Sequence, residues 1–149
     1  MKKLFTLIIF VQLAVSAMAA AWDGTTSTNF TTNVKNASIN DGTPAKPYLI
    51  SSPEELYYLS VNISTYKAKC FKLDADIDLG SFAWTPIGDA TNKYAGVFDG
   101  NYHTISNIYI NITTGTLSAN GYVGIFGYVA GTSGTNAIIK NLTLSSGSV

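Results

Sequence analysis

The segment Gly96-Val97-Phe98-Asp99-Gly100-Asn101-Tyr102-His103-Thr104-Ile105-Ser106-Asn107-Ile108-Tyr109-Ile110 constrains this chain more than any other. It reads as strand, tight turn, strand, bend, strand. Asp99-Gly100-Asn101 supplies the turn, because Gly and Asn accept positive φ at little steric cost. Around it the apolar residues alternate at strand spacing, with Ile108 and Ile110 to one side and Tyr109 to the other. One such segment cannot bury its apolar face alone, so it needs copies stacked upon it.

Degenerate copies are present. Asp76-Ile77-Asp78-Leu79, Asn107-Ile108-Tyr109-Ile110 and Asn141-Leu142-Thr143-Leu144 share the order Asp or Asn, aliphatic, variable, aliphatic, at intervals of 31 and 34 residues. Leu73, Thr104 and Ile138 stand three positions earlier and fit an inward column. Gly96-Val97-Phe98-Asp99-Gly100 is echoed out of phase by Gly124-Ile125-Phe126-Gly127-Tyr128. Intervals of this length are those of stacked-repeat proteins. The repeats predict an all-β fold, a right-handed parallel β-helix (β-solenoid), since parallel crossovers are almost always right-handed. In-register stacking would place Asp76, Asn107 and Asn141 one above another at a bend, bonding backbone and each other. Ile77/Leu79, Ile108/Ile110 and Leu142/Leu144 would form the inner column, each buried side chain contributing about 1.5–3 kcal/mol before ordering entropy. The alternative is an antiparallel β-sandwich.

Three further runs extend the pattern: Leu73-Asp74-Ala75-Asp76-Ile77-Asp78-Leu79, then Trp84-Thr85-Pro86-Ile87-Gly88, then the segment from Gly96 to Asn107. In this order they resemble the GLUG-motif repeat family of bacterial exported, surface and adhesin-like proteins. Gly124-Ile125-Phe126-Gly127 looks like the motif that names the family, with Ile in place of the usual Leu. The resemblance runs from about residue 41 to the end. It implies a parallel β-helix-like repeat region in an exported, adhesin-like or wall-associated protein. Related segments also precede the catalytic domain of some IgA-cleaving metallopeptidases. An aromatic-Asp-Gly opening such as Trp22-Asp23-Gly24 is common there and implies a ring tucked onto the first coil.

Residues 1–21 read as a secretory signal: Lys2 and Lys3, an apolar core from Leu4 to Val15, and the small-residue run Ser16 to Ala21 with cleavage after Ala19 or Ala21. The apolar core is short of the roughly 20 residues a membrane span needs. No membrane span is predicted after cleavage, and the destination is secretion or the cell surface. Residues 22–47 are read as an irregular leader and 48–149 as the repeat domain, which is expected to be truncated at its C-terminus. Nine Lys against nine Asp plus Glu, with no Arg, argues against nucleic acid or an anionic membrane surface as partner. The lone Cys70 has no partner in this chain for a disulfide and reads as a small buried apolar residue.

Ser52-Pro53-Glu54-Glu55 is the sharpest local signal: Ser at N-cap, Pro at N1 and Glu at N3 make a capping box. It predicts a short N-terminal capping helix near 52–62, with Leu56 and Leu59 on its apolar face. Asp74, Asp76 and Asp78 alternate at strand spacing and would project together. That cluster could attract Ca²⁺, but no Gly-bearing twelve-residue loop or bidentate Glu stands beside it, so a solvated outer face is expected. Trp84 is expected to pack on the repeats rather than stack a sugar. The loops Ile112 to Gly121 and Ala130 to Asn136 are where binding is expected to reside.

No catalytic chemistry is predicted. A zinc peptidase needs more than the single His103, which reads as a surface strand residue. Asp78 and Asp99 would be the pair for glycoside hydrolysis, but Asp99 already serves a turn. A lyase on acidic polysaccharide would need a base beside the Asp cluster, and only Lys72 is near. Asn-x-Ser/Thr triplets at Asn29, Asn36, Asn62, Asn111 and Asn141 are expected by chance in so Asn- and Thr-rich a chain. The sequence therefore predicts an exported surface module for adhesion or for carbohydrate or host-protein contact, with no catalytic, cofactor-binding or metal-ligating residues. Alternatives are a structural spacer in a larger surface protein and a polysaccharide-degrading enzyme. Expected partners are a glycan, an extracellular protein, or a second copy through an open C-terminal coil.

Overall fold

The computed structural model describes residues 22–27, 40–111 and 123–148. The expected signal segment and the loop over 112–122 therefore lie outside the described residues, as do Asn29 and Asn36. The elements in chain order are β1 (Tyr48–Ile50), α1 (Pro53–Val61), α2 (Ile63–Tyr66), β2 (Phe71–Leu73), β3 (Ile77–Asp78), β4 (Val97–Asp99), β5 (Thr104–Tyr109), β6 (Ile138–Lys140) and β7 (Thr143–Ser148).

Two small sheets carry the molecule, one ordered β1-β2-β4-β6 and the other β3-β5-β7. Every named strand pair is parallel. That excludes the antiparallel sandwich among the described residues, and it also corrects the β-solenoid expectation. A solenoid wall needs near-equal coils, and this chain does not have them. Tyr48, Phe71, Phe98 and Ile139 share a column at intervals of 23, 27 and 41 residues, and Ile77, Ile105 and Leu144 share another at 28 and 39. The unequal lengths between strands fold as α1, α2 and loops. On that side the backbone meets only in single parallel bridges, Ala83 to Tyr109, Ile87 to Phe126 and Tyr94 to Val129. No third sheet closes a wall among the described residues. The arrangement is a pair of parallel sheets with helices, of α/β type.

Register also departs from the sequence alignment. Asp76 lies level with Thr104, whose backbone N–H it accepts at 2.9 Å. Asn107 instead donates its amide to Asp78 Oδ1 at 2.8 Å, and Ser146 Oγ donates to Asn107 Oδ1 at 3.0 Å. Asn141 serves the other sheet, donating to Asp99 Oδ1 at 3.0 Å. The stacked Asx residues thus form two side-chain ladders rather than one, because Asn141 follows β6 while Asn107 lies within β5. Both Asn residues take left-handed φ, 55° and 52°, the conformation Asn tolerates better than other side chains. The inward set Leu73, Thr104 and Ile138 is likewise divided between the two sheets.

The core lies between the sheets and the helix side. Phe71, Leu73, Ile77, Leu79, Phe98 and Ile105 are buried from the strands, Leu56 and Leu59 from α1, and Ile87 and Ile125 from the loops. Aromatic rings link them, with Phe98 and Phe126 edge-on at 5.1 Å between centroids and Tyr94 and Phe126 at 5.7 Å. The Gly124 to Gly127 echo therefore pairs its backbone with Ile87 and packs the Phe126 ring on Phe98 of β4, rather than joining β4 as a neighbouring strand. Trp22 is buried against Tyr57, Phe82 and Trp84, and its indole N–H donates to Thr25 O at 2.6 Å. Cys70 is a buried free thiol.

Helix α1 begins as its sequence dictates. Ser52 is the N-cap, in extended backbone conformation, and its hydroxyl accepts from Glu55 N–H at 3.4 Å. The reciprocal arm reaches one residue further than in a standard capping box, since Glu55 Oε2 accepts from Ser51 N–H at 2.7 Å. Glu55 is wholly buried and its Oε1 has no hydrogen-bond partner. Burial pushes its carboxyl above the ordinary range, against the lowering effect of the Ser51 and Ser52 backbone bonds.

Candidate functional site

Three backbone runs lie side by side. Residues 67–69 follow α2, residues 93–96 precede β4, and residues 128–132 follow the Phe126 segment. Ala95 N–H donates to Lys67 O at 2.7 Å, Tyr94 N–H to Tyr128 O at 2.9 Å, and Ala130 N–H to Tyr94 O at 3.0 Å. Tyr94 pins the middle run: its ring is buried and its hydroxyl donates to Lys69 O at 3.0 Å. Burial, reinforced by Cys70, drives the Tyr94 phenol well above the ordinary tyrosine range, so it stays a neutral donor. Gly96 permits the approach, because a Cβ there would overlap the Lys69 carbonyl oxygen.

Where these runs emerge they line an open cleft of about 370 Å³. Lys67 and Ala68 come from the first run, Lys93 and Ala95 from the second, and Ala130, Gly131 and Thr132 from the third. Ala90 and Thr91 form one rim. That rim is a built turn: Asp89 Oδ1 accepts from Thr91 N–H and Asn92 N–H, both at 2.7 Å. Thr132 belongs to a small hairpin in which Thr135 N–H donates to Thr132 O at 2.9 Å. Lys93 Nζ sits 4.9 Å from the centroid of the Tyr128 ring, a cation–π contact that holds the ammonium in place. Among the described residues the carboxylates within reach of a basic side chain are Asp76, beside His103, and Asp99, beside Lys140, so neither Lys67 nor Lys93 has a carboxylate partner there.

A second groove, about 240 Å³, runs over the outer face of the four-stranded sheet. Lys72, Asp99 and Lys140 follow one another in register across β2, β4 and β6. Lys140 Nζ lies 3.2 Å from Asp99 Oδ2. Partial burial alone would raise the Asp99 carboxyl, but the Asn101 N–H, the Asn141 amide and Lys140 together hold it below the usual range. Pro44, Pro47 and Cys70 close the other side of the groove.

The residues singled out from sequence are dispersed. Asp76 accepts from Thr104 N–H and meets His103 Nδ1 at 3.1 Å, and those bonds, the backbone one first, hold its carboxyl low. Asp78 accepts from Gly80 N–H at 2.9 Å and from Asn107. No group of three metal-ligating side chains occurs among the described residues. Asp78 and Asp99 belong to different sheets. Trp84 is buried, with its indole N–H donating to Ile125 O at 3.2 Å, and offers no sugar platform. The loop expected at Ala130 to Asn136 does contribute to the first cleft. Lys67 and Lys93, 26 residues apart, gave no sequence signal, because only the pairing of their backbone runs brings them to one face.

Comparison with known proteins gives two similarities. The chain is 33% identical over 109 residues to a Gly-rich membrane protein of Evansella cellulosilytica, covering 70% of this chain and 12% of that protein. It is 33% identical over 127 residues to a halomucin of Haloquadratum walsbyi, covering 79% of this chain and 1% of that protein. The chain thus spans a small part of the length of these relatives. No family model and no solved structure matches it. The similarities are consistent with a surface or membrane location. No helix among the described residues is long and apolar enough to cross a membrane.

Proposed function

We propose that this chain is a non-catalytic contact module of an exported surface protein, one that meets a glycan or an extracellular protein. The observation that carries the reading is the first cleft: a rigid backbone of three paired runs presents small residues and two cations without carboxylate partners to solvent. Rigid scaffolds that display open loops of this kind are where recognition is usually built. The similarity to a membrane protein and a halomucin agrees with it, as does the resemblance to the GLUG-motif repeats. The test is binding of the purified full chain to a glycan array and to a panel of extracellular-matrix proteins, after light scattering has established its mass. Saturable binding by a monomer is the expected result, and no binding to either panel would overturn the reading.

A second reading, a structural spacer within a larger surface protein, is favoured by the edge formed by β6 and β7. Ile138, Ile139 and Leu144 are 44%, 40% and 55% exposed there, and the outer backbone groups of an edge strand are free to pair with another chain. Under this reading the chain self-associates through that edge, and Ile139→Lys with Leu144→Lys restores the monomer. A wild-type chain that stays monomeric at high concentration would exclude it.

A further inference from the structure

We propose that the cleft between Lys67 and Lys93 binds an acidic saccharide, with its carboxylate or sulfate group on the two ammonium groups and its ring against the alanine lining. The inference rests on the contact reading above and names its ligand class.

Charge is the first reason. The chain has zero formal net charge, yet this cleft carries two exposed lysines and no acid in its lining. The nearest carboxylate in sequence, Asp89, is not among the lining residues, and its Oδ1 accepts from two N–H groups of its own turn. The comparison with the second groove is direct, since there Lys140 already has Asp99 at 3.2 Å. An anion entering the first cleft displaces no protein partner from either lysine. Lys93 is also held by the Tyr128 face, so less freedom is lost on binding.

Shape is the second reason. Ala68, Ala95 and Ala130 offer only methyl groups and backbone, an apolar lining suited to the C–H face of a sugar ring. Gly131 keeps that lining open, and a Cβ there would also overlap Thr135 O. Thr91 and Thr132 also line the cleft, each with a hydroxyl that can both donate and accept. The volume, about 370 Å³, lies near the lower end of the roughly 300–1,000 Å³ range of small-ligand clefts. That suits a short stretch of a polysaccharide. A nucleobase would want an open aromatic face, and no aromatic residue lines the cleft.

The experiment is calorimetric titration of the full chain with four probes at low and at physiological salt: oligogalacturonate, a heparin oligosaccharide, a maltooligosaccharide and polyglutamate. At least one of the two acidic saccharides should bind saturably, more weakly at the higher salt, and the neutral sugar and the acidic peptide should not. Lys67→Gln with Lys93→Gln should lower that affinity at least tenfold with an unchanged circular-dichroism spectrum. Ala90→Glu, at an exposed rim position, should do the same by reversing local charge. Lys72→Gln, in the other groove, should leave it unchanged. Equal binding of polyglutamate, or no loss in the double lysine variant and in Ala90→Glu, would overturn the assignment. In the last case the acidic saccharide is still bound and the contact reading survives. Silence from all four probes together with an empty glycan and matrix panel would remove both.

Discussion

Asn107 separates the cost of a backbone conformation from that of a side-chain ladder. Its φ is 55°, its amide donates to Asp78 Oδ1 at 2.8 Å, and its Oδ1 accepts from Ser146 Oγ at 3.0 Å. Asn107→Gly removes both bonds and leaves the backbone at ease. Asn107→Ala removes the same bonds and keeps a Cβ in the left-handed region without the polar side chain that makes Asn tolerant of it. A typical hydrogen bond contributes about 0.5–1.5 kcal/mol net, and these two are solvent-exposed, so together they account for about 1–2 kcal/mol. Left-handed backbone costs an ordinary L-residue roughly 1–2 kcal/mol, partly offset in the comparison by the greater unfolded-state freedom of Gly. The Gly variant should therefore lose about 1–2 kcal/mol and the Ala variant about 2–3 kcal/mol. At roughly 2–4 °C per kcal/mol for a chain of this size, the Ala variant should melt about 4–12 °C lower than wild type. Urea titrations with equal slopes would measure both losses. An Ala variant no less stable than the Gly variant would refute the left-handed assignment. Losses below about 0.5 kcal/mol in both would show that the ladder contributes nothing.

Four further outcomes are expected. Glu55, whose folded carboxyl is raised by burial, makes wild-type stability fall as pH rises from its unfolded value near 4.5 through the folded value; Glu55→Gln should flatten that slope in pH-dependent urea unfolding, and an unchanged slope would place the titration elsewhere. Asp76 and Asp99, both held low, act in the opposite sense, so stability they contribute above the unfolded carboxylate range is lost as pH falls through their folded values; Asp76→Asn should reduce the acid-side loss in the same assay. Trp22→Ala should cost about 3–5 kcal/mol by emptying the site among Tyr57, Phe82 and Trp84, and should quicken proteolysis near Gly24, which limited digestion would show. Gly96→Ala should prevent normal folding because its Cβ overlaps Lys69 O, whereas Gly134→Ala, with open space around it and φ 82°, should lose only about 1–2 kcal/mol of backbone strain in thermal melts.

Local chemistry was legible in the residues themselves. Ser52-Pro53-Glu54-Glu55 starts a helix because its cap, its preset φ and its acidic first turn act within four residues of one another. The Asp99-Gly100-Asn101 turn follows in the same way from what those side chains do to their own backbone. Alternating apolar residues likewise mark the strands. None of this fixes register between strands that lie 23 to 41 residues apart. Three Asx-aliphatic motifs look like one repeat, but packing sent Asn141 to the Asp99 side and Asn107 to Asp78. Shape complementarity decides such pairings: Gly100 is needed beside Leu142, and Gly147 beside Ile108. The unequal lengths between strands replaced the expected solenoid wall by helices, loops and single bridges. The cleft belongs to the same class of fact. Lys67 and Lys93 carry no motif, and they face one cleft only because Ala95 N–H bonds to Lys67 O across the fold. The sequence by itself determined where this backbone turns, caps and extends, since those are contests among near neighbours. Tertiary structure alone decided which distant segments lie side by side, because that depends on volumes and hydrogen bonds that exist only once the chain has packed.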